Sequence, residues 1–230
     1  MPRQTVNMDA ATADFIDPDA RDRVMVSGPD AQTYLQSQVA QEIRNLQIGD
    51  TRWTLVLDPT GKVDTLARIT RSDDDTFVLD TDAGFGEGLA ARIDRFKIRV
   101  DAEVTQAPAS RDEPSAPHEA ARVAAGWPRM GAEIVPGETI PAVTGIVPLS
   151  VDFTKGCYPG QELVERMDSR GADAPRSLRI LDVAESAATG DPILDDDGNE
   201  VGTLTTVSTG TALGYVKRGV DVGRRPAHLS

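Results

Sequence analysis

The chain is expected to be an α+β protein, with a two-layer antiparallel sheet and helix region followed by a small C-terminal β-barrel. Three observations predict this. Residues 1–105 mix short β-rich runs with two segments of helical period. The β-rich runs are separated by clusters of turn-formers, "DPTGK" and "RSDDD", which make antiparallel neighbours. After residue 172 only short strand-like runs remain, with turns between them.

The elements follow in order. "RVMVS", residues 23–27, reads as a strand. The next segment carries Tyr34, Leu35, Val39, Ile43 and Leu46 at helical spacing before Gly49, which predicts one helix over that stretch. Strands are expected at 52–57, 63–70 and 76–81, then a helix at about 86–96 and a strand near 97–104. "TQAPASRDEPSAPHE", residues 105–119, has three prolines and little apolar content, so a boundary is placed there. A middle region at 106–172 is rich in Pro and Gly, which forbid a long helix until "GQELVERMDS", with Gly171 as a candidate cap. The last region, 173–230, contains "RSLRILDV", "DPILDD", "EVGTLTTVS" and "TALGYVKR" as four strands.

Composition narrows the function classes. The 230 residues carry a net charge of −13, and phosphate surfaces need a basic footprint, so direct nucleic-acid or acidic-membrane binding is not expected. No apolar stretch approaches the roughly 18 residues of a membrane span, and the N-terminus has neither a secretory apolar core nor a transit-peptide composition. A cytoplasmic location is the expectation. Cys157 is the single cysteine, and with His118 and His228 scattered it offers no metal-ligand spacing, so no metal site is assigned.

Four motifs invite a functional reading, and for each the plain structural account is favoured. "GFGEG" has Leu89 where the third glycine of a dinucleotide fingerprint belongs. "PTGKV" has Val56 and Val63 where a P-loop needs Gly and Ser or Thr. "DDDGNE" is acidic but lacks the closing glutamate and flanking helices of a calcium loop, and reads as a turn. "RIDRFKIR" sets Arg92, Arg95, Lys97 and Arg99 against the single acid Asp94, a local reversal of the global charge that reads as a solvated helix face.

"TKGCYPGQE", residues 154–162, is the informative stretch. Its thiol has a cation two residues earlier and turn-formers on both sides, just before a helix. Lys155 and the amides of a helix starting near Gly160 favour a thiolate at Cys157, and the same amides suit an anionic ligand group. A small buried side chain between loop and helix is the competing structural account.

"KGCYPGQELVER", continued by "RGA", resembles the signature of the YgfZ family, folate-binding relatives of the glycine-cleavage T-protein. Lys155, Gly156, Cys157, Tyr158, Gly160, Gln161, Glu162 and Arg166 match it, and Arg170 with Gly171 fits the continuation. "VSGPDAQTYLQSQVAQEIRNLQIGD" and "LDPTGKV" are similar to that family's opening helix and following hairpin, so the resemblance covers residues 22–218. It implies a T-protein-like folate-binding region, tetrahydrofolate as cofactor, and a role in assembling or repairing iron–sulfur clusters of client enzymes, including radical enzymes that modify tRNA. Iron–sulfur client or assembly proteins are the implied partners. It also implies Cys157 as the functional thiol, with Lys155, Gln161, Glu162 and Arg166 as cofactor-binding residues. The T-protein's catalytic acid has no counterpart located by motif. A tetrahydrofolate-dependent aminomethyl or methyl transferase is the enzyme alternative, and a non-catalytic interaction module is the third.

Overall fold

A computed structural model describes residues 15–169 and 174–226. The candidate cap Gly171 and the continuation Arg170–Gly171 lie outside the described residues. The first layer is a five-stranded antiparallel sheet in the order β2-β3-β4-β1-β5. Its strands are β1 (Arg21–Ser27), β2 (Thr51–Leu57), β3 (Val63–Asp73), β4 (Thr76–Asp82) and β5 (Glu103–Ala107). Helices α1 (Ala31–Gln38) and α2 (Gly86–Arg95) cover one face.

Side chains alternate across the strands, so each face buries its own set. Val24, Val26, Val56, Ile69, Phe77 and Leu79 pack beneath Leu35, Leu89 and Ile93 of the two helices. The opposite face presents Trp53, Leu55, Leu57, Val63 and Leu66, which join Trp127, Met130, Ile134, Tyr158 and Val164 of the middle region in a second core. The α+β class and the antiparallel pairing are as expected.

Two expectations in this first layer are corrected. The helix expected through Leu46 ends at Gln38, because Val39 turns extended (φ −100°, ψ 155°) and bridges Val56. Ala40 N then donates to Leu55 O, and the Gln36 side chain accepts from Ile43 N. Val39, Ile43 and Leu46 are still buried in the first core, so an irregular segment mimics the helical period. The strand expected near 97–104 begins only at Glu103, because Arg99 takes a left-handed conformation (φ 58°) and Asp101 pairs with Asp30 through backbone and side chain instead.

The middle region contributes α3 (Ala116–Ala125), the short turns α4 (Pro141–Thr144) and α5 (Val147–Ser150), and α6 (Gln161–Ser169). Beyond it, β6 (Arg176–Asp182), β7 (Pro192–Leu194), β8 (Glu200–Ser208) and β9 (Thr211–Lys217) form an antiparallel sheet in the order β6-β9-β8-β7. Where a barrel is expected, this sheet is open among the described residues. The three-residue β7 is too short to close it, and the free edge of β6 is taken by Arg224, which exchanges backbone hydrogen bonds with Ile180.

The β2–β3 turn meets the loop before α6 backbone to backbone. Gly160 (φ 79°) lies against the Asp58 carbonyl and 2.9 Å, measured from an added Cβ, from Gly61 Cα; a Cβ on Gly61 (φ 88°) would lie 2.5 Å from Leu163 Cβ. Both the positive φ and the close approach demand glycine. We expect Gly160→Ala to destabilise the protein by about 2–3 kcal/mol in urea unfolding, through collision and backbone strain. Gly156, whose added Cβ would meet nothing within 4 Å, should tolerate Ala to within about 0.5 kcal/mol.

Candidate functional site

The thiol loop is held at both ends. Asp152 Oδ1 accepts from Thr154 N at 2.7 Å and Thr154 Oγ1 at 2.6 Å, which turns the chain into the loop. Lys155 is only 9% exposed, and its ammonium donates to Gln36 O at 2.5 Å and to Val39 O, the carbonyls freed where α1 ends. It also lies 5.1 Å from the centre of the Tyr158 ring. Tyr158 N donates to Gln161 Oε1 at 2.9 Å, so the first residue of α6 caps the loop that leads into it.

Between these anchors Cys157 is exposed and unpaired with another cysteine. The competing account, a buried packing thiol, does not fit that exposure. Tyr158, buried like Lys155, is packed in the second core, and its hydroxyl has no hydrogen-bond partner among the described residues. Burial, reinforced by the carboxylates of Glu165 and Asp152, pushes that hydroxyl up to about 12. Glu162 and Arg166 stand exposed on α6. Lys155 and Gln161 are thus engaged in holding the loop, while Cys157, Glu162 and Arg166 face solvent.

None of these five residues lines the cavity on the other side of the second core, a space of about 270 Å³. Phe15, Phe85, Trp127 and Met130 supply its apolar wall, and Arg21, Asp82 and Arg129 its polar one. Trp127 stacks between Phe15 and Trp53, with ring centres 5.4 and 4.6 Å apart. Asp82 Oδ1 accepts from Arg21 Nη1 at 2.5 Å, and its Oδ2 accepts from Met130 N at 3.0 Å. Asp17, also in the wall, accepts from Ser115 N, Asp19 N and Arg111, and the Ser115 hydrogen bond leads in holding its carboxyl below the usual range. Arg129 pairs with Glu113 but has a buried Nε with no hydrogen-bond partner among the described residues.

Sequence reasoning missed this cavity because its lining is drawn from residues 15–131 with no local motif. The "GWPRMG" stretch, which contributes Trp127, Arg129 and Met130, is legible only as a turn-rich segment. The basic "RIDRFKIR" group also divides. Arg92 is buried, donating to Gln38 Oε1 at 3.1 Å and Leu57 O at 3.2 Å, whereas Arg95 and Arg99 are exposed and Lys97 pairs with Asp94 at 2.9 Å.

Burial lowers the Lys155 ammonium to about 8, against the opposing pull of Glu42. The neutral amine still has two N–H donors, enough for both carbonyls. From about pH 8 to the ordinary lysine range the unfolded chain binds a proton that the native chain has released, so this group adds stability as pH rises. Below about pH 8 the burial penalty is fully present. We expect side-chain NMR to titrate Lys155 with a midpoint near 8, and the stability of wild type relative to Lys155→Met to increase across that window.

No family model matches the chain. A curated protein of Haemophilus influenzae, named "Uncharacterized protein", is 26% identical over 226 residues, covering 80% of each chain. Among solved structures, the glycine cleavage system aminomethyltransferase T from Bartonella henselae superposes with a TM-score of 0.74 at 16% identity, over 87% of this chain and 77% of that one. At that identity the likeness is one of architecture, and the chain has a T-protein-like fold.

Proposed function

We propose that this chain is a folate-binding accessory protein of the YgfZ type that supports iron–sulfur cluster assembly or repair. The observation that carries the reading is the pairing of a mixed aromatic and charged cavity with a separate, exposed thiol on the matching signature. The cavity suits a reduced pterin. Trp127, Phe15 and Met130 would pack against the ring system, and the unpartnered Arg129 Nε would donate to an acceptor on the ligand. When bound, tetrahydrofolate supplies one-carbon carrier chemistry.

Binding is favoured over aminomethyl transfer by the state of Asp17 and Asp82 in the cavity wall. Transfer requires a carboxylate free to move a proton, whereas Asp17 is engaged by Arg111 and the N–H groups of Asp19 and Ser115, and Asp82 by Arg21 and the N–H of Met130. In this reading residues 1–105 and 106–172 build the folate region, residues 173–230 form a smaller C-terminal domain, and the protein works in the cytoplasm. Lys155 and Gln161 position the thiol, while Glu162 and Arg166 flank it at the face a client protein meets. An iron–sulfur cluster, as cargo, takes more thiolates than Cys157 offers, so the partner supplies the others.

Tetrahydrofolate under anaerobic conditions should raise the stability by about 2.7 kcal/mol at a hundredfold excess over Kd. For a chain of this size that is a melting shift of about 5–10 °C. Ala83→Leu, which fills the cavity from its wall, should abolish the shift while the protein stays folded. Absence of any shift in the wild type at millimolar tetrahydrofolate removes folate from the reading. Formation of methylene- or methyl-tetrahydrofolate in proportion to a consumed aminomethyl or methyl donor would replace the accessory role with the transferase.

Cys157→Ser should leave folding and folate affinity near wild type, because the side chain is exposed and away from the cavity. The same variant should fail to restore an iron–sulfur enzyme activity in cells lacking the protein. Full restoration would mean that the loop acts through its backbone and neighbours.

A further inference from the structure

The segment between α2 and β5 leaves Phe96 42% and Ile98 78% exposed. Two large apolar side chains exposed within three residues of each other, in a cationic setting, make a surface suited to a partner. Arg95 and Arg99 flank them, both exposed and without an ion pair among the described residues. On a chain of net charge −13, this is a local inversion of the electrostatic field.

The patch is built rather than incidental. Arg92 lies 4.4 Å from the centre of the Phe96 ring, and it is held from behind by Gln38 Oε1, Leu57 O and, at 3.6 Å, the carboxylate of Asp64. Asp64 reaches that position because it is the extra residue of a β-bulge, where Leu57 pairs with Val63 and Val56 with Thr65. Behind the patch, Leu57 accepts from Arg92 while its side chain lies beneath Gly160.

We propose that Phe96, Ile98, Arg95 and Arg99 form a docking surface for an acidic segment of a partner protein, one that places an apolar side chain over Phe96 and Ile98. A protein segment fits because the patch is small. A bilayer or a nucleic-acid duplex extends well past it and would bring a dense row of phosphates against the rest of a chain whose net charge is −13. Acidic side chains on a partner match the two unpaired arginines and confine their charge to the patch, and the apolar centre supplies the area that a polar rim alone does not. This surface stands independently of the folate assignment.

The test is photo-crosslinking from position 98, with a photoreactive amino acid in place of Ile98 in the full chain, made in its own cells. The expected adduct maps to an acid-rich segment of a second protein and falls at least tenfold with Arg95→Glu and Arg99→Glu, whose side chains are exposed. It should return when the mapped acids are changed to lysine in the partner. Adducts to nucleic acid, to lipid or to another copy of this chain, adducts insensitive to the charge reversal, or no adduct at all would each overturn the proposal.

Discussion

Gly160 resting on the Asp58 carbonyl is the contact on which the placement of the thiol depends. It lets the loop that leads into α6 approach the β2–β3 turn at a distance that any side chain would forbid. The turn itself is stiff, because Asp58 Oδ1 accepts from Thr60 N, Thr60 Oγ1 and Lys62 N. Those hydrogen bonds outweigh the burial that would otherwise raise the Asp58 carboxyl, and keep it below its usual value. A rigid turn on one side and the Lys155 anchor on the other leave Cys157 between two fixed points.

A second constraint joins the middle region to the C-terminal sheet. Glu133 is buried, and its carboxylate accepts from Arg122, Arg129 N, Thr205 and Thr206, while Tyr215 donates to its backbone oxygen. Arg122 in turn donates to Glu119 and to the Trp127 carbonyl. Burial would lower the arginine, but its two carboxylates more than offset it and the guanidinium stays charged. Removing either partner would strand a buried charge. The network also sets the position of Trp127, and with it the apolar wall of the cavity.

The cavity and the thiol loop are separate but not independent. Tyr158 and Val164, next to and beyond the thiol, share one core with Trp127 and Met130 of the cavity wall. Close-packed interiors transmit displacement, so a ligand that rearranges the cavity wall acts on the same packed layer that carries the loop.

The thiol loop was legible because its determinants are contiguous: a glycine, a cation and a cysteine before a helix of readable period, matching a known signature over eight positions. The cavity was not, since Phe15, Asp82 and Trp127 meet only after three segments fold together. Val39, Ile43 and Leu46 misled for a related reason, because burial at helical spacing does not require a helix when tertiary hydrogen bonds hold the segment in another form. By itself, then, the sequence determined the α+β class, the antiparallel strand order of neighbours and the location of the loop that carries the thiol, all of which rest on local period and turn chemistry. Only the tertiary structure decided that Lys155 is an anchor, that Cys157 is exposed, that the C-terminal sheet is open among the described residues and that a cavity exists. Each of these depends on which distant groups compete for the same hydrogen bonds and the same space.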